Sequence, residues 1–467
     1  MKGCERMRNA YNYAKQIQRN IKLTSDNLSF ADCYYLCAKK DHIDDLKSLD
    51  HQIIWGRRGT GKTTLLKAFT FDINNNHYSP NCMAIYIVMA QAIPTEDEIR
   101  QITGDGSSLA LFVLSKIVSD ICDQLEKSYS TCRKYAMDSR ACNMFDDAFL
   151  QLTEHIRVYQ EQARGGKVTV GHSRSEELQQ ESGINSGGQL TANKSILNIF
   201  ASIFKKQSTK KDSRKSVEIN GEIHFNFETG VIRTYLAQML QAFGISTLYL
   251  CLDEFCDLDK ISAPSIQIQV AELIKQVFFK TSPFSVKISS IWNRSNIYSR
   301  GQGRRAQGIE YMQDIFQGPD LDTMFMREYS DAQKYFKELI VNTYFLDTRS
   351  DEERVQQSGR RVELLSDYLV SDIFGEEGFS QIIVGSQGVS RIFAILIKTY
   401  LDQFINLNTK APLKLERVYD MIKYNGPPVK TTDQEKIVNK TDFGCIPSQD
   451  RARQAGRQPP AKRVEEP

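Results

Sequence analysis

The chain has 467 residues, 41% of them hydrophobic, enough to bury one large or two moderate cores without disulfides or metal staples. Sixty basic residues against fifty-seven acidic ones leave a formal charge of +3, which excludes a globally basic nucleic-acid binder and leaves only local patches as candidates. Ten scattered cysteines include no CxxC pair and no zinc-like Cys/His spacing, and no apolar run approaches the roughly 20 residues that span a bilayer. A cytoplasmic chain with free thiols, no leader peptide and no membrane partner is expected.

Residues 1–30 are polar and basic and read as an N-terminal arm or helix. A helix is expected from Phe30, then a strand over Gln52–Trp55, a glycine-rich loop and a helix from Lys62 to about Ile73. "CMAIYIVMA" from Cys82 is short and uninterrupted, as in a strand buried on both faces. Two amphipathic helical patterns follow, "SSLALFVLSKIVSDICDQLEKSY" and "MFDDAFLQLTEHIRVYQEQA". Residues 162–222 then turn to Gly, Ser, Gln and Lys, which predicts a mobile basic insertion.

Order is expected to return with "TGVIRTYLAQMLQAFG", a helix whose stripe Val231, Ile232, Tyr235, Leu236, Met239, Leu240 and Phe243 is closed by Gly244. It feeds the strand "STLYLCLDEF"; the helix "SIQIQVAELIKQVFF" and the strand "FSVKISSIW" follow. This alternation predicts an α/β core, a parallel sheet with helices on both faces, over residues 31–329. Residues 330–425 read as a smaller all-helical domain, and 426–467 as a disordered tail.

Two stretches carry chemistry. "IIWGRRGTGKTTLLKAF" fits G-x-x-x-x-G-K-[ST] at Gly56, Gly61, Lys62 and Thr63, between a strand and a helix. In such a loop the backbone from Gly56 through Arg57, Arg58, Gly59, Thr60 and Gly61 turns its N–H groups onto phosphate oxygens, helped by the helix N-terminus. Lys62 is expected on the β- and γ-phosphates, Thr63 on Mg2+, and Thr64 near the α-phosphate. In "LYLCLDEF", Asp253 emerges at a strand's C-terminal end as the second metal-holding group, and Glu254 would polarise the attacking water of ATP hydrolysis.

A phosphate loop paired with a hydrophobic-DE strand resembles the AAA+ branch of P-loop ATPases, with the helical domain as its lid. The resemblance implies a polar γ-phosphate sensor at the end of "VKISSIWN", Asn293 first and Ser290 second. It also implies that Arg391, in "GSQGVSRIFAIL", senses phosphate from the lid, and that one of Arg294, Arg300, Arg304 or Arg305 reaches a neighbouring subunit's nucleotide. At finer grain, residues 30–425 are similar to bacterial ATPases distantly related to origin-recognition and initiator-loader proteins, some associated with antiviral defence.

The chain departs from the compact pattern in two ways. About 190 residues separate Lys62 from Asp253, and only about forty follow the lid, too few and too polar for the winged helix of initiator-type relatives. The resemblance therefore implies an ATPase using ATP and Mg2+, assembling as a homo-oligomer, with two readings of purpose. One is remodelling or loading onto nucleic acid, for which the basic insertion near Lys205–Lys215 is a candidate contact or else a solvated loop. The other is a slow nucleotide-dependent switch read by a partner protein or effector.

Overall fold

The computed structural model describes residues 2–22, 28–38, 40–75, 81–102, 106–132, 138–163, 228–263, 265–280, 283–300, 306–322, 329–346, 369–407 and 411–425. The expected basic insertion and C-terminal tail lie outside these residues, apart from 162–163. The chain opens with helices α1 (Lys2–Asn20), α2 (Phe30–Leu36) and α3 (Lys40–Asp45), then strand β1 (Gln52–Trp55), helix α4 (Lys62–Asn75) and strand β2 (Cys82–Val88). Helices α5 (Met89–Ala92), α6 (Glu96–Gln101), α7 (Gly106–Cys132), α8 (Ser139–Ala163) and α9 (Thr229–Ala242) lead to β3 (Thr247–Asp253). Helix α10 (Ile266–Ile274) precedes β4 (Phe284–Ser290), the short strands β5 (Tyr298–Ser299) and β6 (Gln307–Gly308), and β7 (Phe316–Gln317). Helices α11 (Tyr329–Phe345), α12 (Glu376–Ser386), α13 (Ser390–Asn406) and α14 (Leu415–Asn425) follow.

The described residues form two compact units, one drawn from Asp41–Trp55 and Leu65–Pro319, the other from Met1–Lys40, Gly56–Thr64 and Asp320–Pro467. The first is built on a five-stranded parallel sheet in the order β2-β3-β4-β1-β7. Side chains alternate along β3. Leu248, Leu250 and Leu252 face a core shared with Val113 and Ile117 of α7 and Leu236 and Leu240 of α9. Tyr249 and Cys251 face α4, where the Phe69 ring meets Tyr249 edge-on at 5.2 Å and the Thr70 hydroxyl donates to the Cys251 sulfur. Each fully buried leucine contributes about 1.5–3 kcal/mol, so both faces must be covered for the strand to persist.

The helix patterns predicted around this sheet are present, with α9 packed along α8 and α10 along α7. Helix α9 ends as its sequence implies: Gly244 takes φ +69°, and the Ile245 N–H reaches back to the Leu240 carbonyl at 2.9 Å. Strand β7 was not foreseen, because two residues are too short to display a period.

Among the described residues, the regular elements of the second unit are all helices, joined by connecting segments that include the loop 56–61. Its core joins Phe336, Ile340, Phe379, Phe393, Leu396 and Tyr400 to Ala10, Ala14 and Ile17 of α1. Within residues 1–30, expected as an arm, α1 thus lies against α11 and α13 with its small residues at helical spacing. The buried Asn20 amide donates to the Thr343 carbonyl at 3.0 Å and so satisfies the C-terminal end of α11.

Candidate functional site

Strand β1 hands the chain directly to the loop that precedes α4. Gly59 and Gly61 sit at φ +88° and +100°, a region that side-chain-bearing L residues rarely enter. Gly56 is required for a different reason, since a Cβ there would lie 2.6 Å from the Thr60 hydroxyl oxygen. That hydroxyl donates to the Arg57 carbonyl at 2.9 Å, tightening the turn from inside. The buried Lys62 amine donates to the carbonyls of Gly56 at 2.5 Å and Arg57 at 2.8 Å, folding back over the loop it follows. Thr63 and Thr64 are half-buried and Arg58 is exposed.

The same unit ties this loop to the segment containing Arg391. The Arg391 N–H donates to the Gly59 carbonyl at 3.0 Å, and a Cβ on Gly59 would stand 2.9 Å from the Arg391 Cβ. Two successive residues in left-handed conformation, Gln387 at φ +52° and Gly388 at +74°, turn the chain into α13 and present Arg391 in its first turn. The Gln387 carbonyl accepts from the Arg57 guanidinium at 2.8 Å, while Asp322 accepts from both the Arg57 backbone and its Nε. The structure therefore brings the predicted lid arginine to the predicted phosphate loop.

In the sheet unit, β1 ends level with the ends of β3 and β4. Trp55 pairs with Ser290, and Leu252 with Ile288. Asp253, 1% exposed, closes β3 at this edge. One of its carboxylate oxygens accepts from the Tyr86 hydroxyl at 2.6 Å, and the other accepts from Ser289 Oγ and, at 3.1 Å, from the Glu254 N–H. Burial and the adjacent Asp253 push the Tyr86 hydroxyl pKa far up, so it stays protonated and remains a donor. Glu254 adopts φ +58°, ψ +43°, and its N–H also reaches Ser289 Oγ at 3.0 Å. A non-glycine residue held there is strained by about 1–3 kcal/mol, and such strain concentrates where a side chain must be aimed.

The remaining candidates spread along the chain after β4. Ser290 hydrogen-bonds Ser295, while Asn293 is exposed in a one-turn 3-10 helix, Trp292–Arg294. The serine that touches the acidic pair is Ser289, one residue before the candidate Ser290. Arg294 forms a two-pronged ion pair with Asp259, at 2.9 and 3.0 Å, and lies 3.6 Å from Asp257. The Arg300 side chain is 80% exposed and 3.7 Å from Glu310. Arg304 and Arg305 lie outside the described residues.

Ser289 and Tyr86 were missed as site residues. The only signals available were a tyrosine inside the aliphatic run "AIYIV" and a serine pair ending "VKISS".

Taken separately, the loop offers backbone N–H groups, a lysine and a threonine hydroxyl, donors of the kind that hold nucleotide phosphates, and the strand end offers a buried aspartate followed by a glutamate, of the kind that holds Mg2+. A model of the ORC-CDC6-like family matches residues 30–304, more than half of the chain. No curated protein matches it. No helix among the described residues is long and apolar enough to cross a membrane. With its five parallel strands in this order and its helical second unit, the chain belongs to the ORC-CDC6-like family, within the origin-recognition type of AAA+ ATPases.

Proposed function

We propose that this protein binds ATP with Mg2+ and hydrolyses it, using the nucleotide state to move its helical unit. The observation that carries the reading is the direct bond from the Arg391 N–H to the Gly59 carbonyl, because a loop that closes on phosphate cannot then move without the first turn of α13. Lys62 and the loop N–H groups bind and orient the β- and γ-phosphates, with Arg57 flanking them and Thr64 near the α-phosphate. Thr63 and Asp253 hold the metal, which when bound neutralises phosphate charge. Glu254 takes the proton of the attacking water. Asn293 and Arg391 act as phosphate sensors, and Arg294, released from Asp259, serves a neighbouring subunit of a homo-oligomer. Residues 330–425 are the lid.

Replacing Glu254 by Gln tests the reading. Turnover is expected to fall by about 100- to 10,000-fold while ATP binding persists, and a variant that still turns over at the wild-type rate overturns the assignment. Two purposes share this chemistry: action on nucleic acid, or a slow switch read by an effector in a defence complex. The loop-to-lid tie favours the switch, since it transmits nucleotide state without any further component. Turnover that DNA or RNA stimulates, and that salt suppresses steeply, would instead select the nucleic-acid reading.

A further inference from the structure

The acidic strand end contains more machinery than metal holding by Asp253 and water activation by Glu254 require. Strand β3 lies between β2 and β4, and each neighbour sends one hydroxyl to the Asp253 carboxylate, Tyr86 from β2 and Ser289 from β4. Tyr86 pairs in register with Cys251, two residues before Asp253, so its side chain is on the face covered by α4 and must run along the sheet to reach the carboxylate. Its ring has the Lys67 amine of α4 at 5.9 Å from the centroid, and its carbonyl accepts from Gln124 of α7 at 3.0 Å. The ring and its backbone are thus held from two helices, and the hydroxyl donates to the Asp253 carboxylate.

We propose that Tyr86 is a positioning residue for metal binding, the β2 half of a two-hydroxyl clamp that orients Asp253. The reasoning is geometric. A carboxylate at a strand end can rotate about its Cα–Cβ and Cβ–Cγ bonds, and a metal or its water needs one rotamer. With Oδ2 on Tyr86 and Oδ1 on Ser289 and the Glu254 N–H both torsions are set, and Oδ2 keeps acceptor capacity that these donors do not use. Glu254 is drawn into the same arrangement, because its N–H bonds both Asp253 Oδ1 and Ser289 Oγ and so its left-handed backbone is held by the clamp. A tyrosine suits the β2 position because the distance from register with Cys251 to the Asp253 carboxylate exceeds the reach of serine or threonine.

The inference rests on the Mg-ATP reading, and its test separates the two. Binding of a fluorescent ATP analogue to the full chain is titrated in EDTA and against rising Mg2+, and Mn2+ binding in the presence of ATP is followed by electron paramagnetic resonance. Tyr86→Phe, which removes one oxygen and keeps the ring, should raise the metal concentration for half-saturation by about 10- to 100-fold, as outer-sphere partners of metal ligands do. Its nucleotide affinity in EDTA should stay at the wild-type value. Tyr86→3-fluorotyrosine keeps the donor and should retain wild-type metal dependence, which also serves if the phenylalanine variant folds poorly. Unchanged or tighter metal binding in Tyr86→Phe, or a tenfold loss in the fluorotyrosine variant, overturns the clamp while leaving the ATPase reading intact. A wild-type chain that binds no nucleotide in either condition overturns the ATPase reading itself.

Discussion

On the proposed reading, the phosphate loop and the acidic strand end hold a charged ligand in opposite ways. The loop works through backbone. Its glycines occupy φ values closed to other residues, Gly56 leaves space for a hydroxyl, and its carbonyls fold the Lys62 amine back over the turn. The strand end works through side chains brought from three strands, with Tyr86 lying 167 positions from Asp253 in sequence and Ser289 another 36 beyond it. A backbone device needs a contiguous motif and tolerates few residues at each place. A side-chain device needs only that the sheet set its strands in the right order and register.

The contrast predicts different responses to mutation. On the proposed reading, Lys62→Ala removes a phosphate contact together with the clasp on Gly56 and Arg57, so ATP affinity should fall by about 100-fold or more, read by calorimetry. An unaltered affinity would remove the loop from the site.

A smaller effect separates two glycines of the loop. Gly61→Ala meets nothing within 4 Å and incurs only the backbone penalty of about 1–2 kcal/mol. Gly59→Ala incurs that penalty and must also displace Arg391, whose Cβ would be 2.9 Å away. It should therefore lower the melting temperature further than Gly61→Ala does. Equal losses would mean that the contact with Arg391 does not restrain the loop.

The smallest effect concerns a charge buried within the sheet unit. Lys287 is fully buried on β4 and donates to the carbonyls of Ser48 and Asp50 and to the Gln52 side chain. Burial still pushes its pKa down to about 7 from 10.5, because desolvation of the cation outweighs these acceptors. Between those values the unfolded chain holds a proton that the folded chain has released, so stability should rise with pH above about 7, by at most ~1.4 kcal/mol per pH unit. His51, pushed down to about 4 by burial and then by Lys287, accepts from the Val286 N–H. It binds its proton more readily when unfolded, so stability should also decline as pH falls from about 6.5 through 4. Denaturant melts from pH 4 to 9 check both arms, and in Lys287→Met the slope above pH 7 should vanish.

The legibility of each region follows from the same difference. Gly56 through Thr64 could be read directly, since the geometry of a phosphate loop is encoded in consecutive residues, and Asp253 and Glu254 could be placed because an apolar run fixes where a strand ends. Helix α9 and its Gly244 cap were legible for the same local reason. Ser289 could not be chosen over Ser290 or Asn293, because one residue of strand register decides which hydroxyl meets the carboxylate. Tyr86 resembles any aromatic in a buried strand until β2 is known to lie beside β3. Likewise, α1 reads as a polar arm because its buried face consists of two alanines and an isoleucine, too little apolar area to announce a partner before α11 and α13 are in place.

By itself, then, the sequence determined the longer elements, the parallel α/β class, the glycine loop and the acidic pair, since each depends on residues within about one turn or one strand of one another. Tertiary structure decided which hydroxyls clamp Asp253, that Arg391 abuts Gly59, and that Arg294 pairs with Asp259. Those contacts depend on strand order, register and the direction in which a helix begins, and these are set by packing across long stretches of chain rather than by any local pattern.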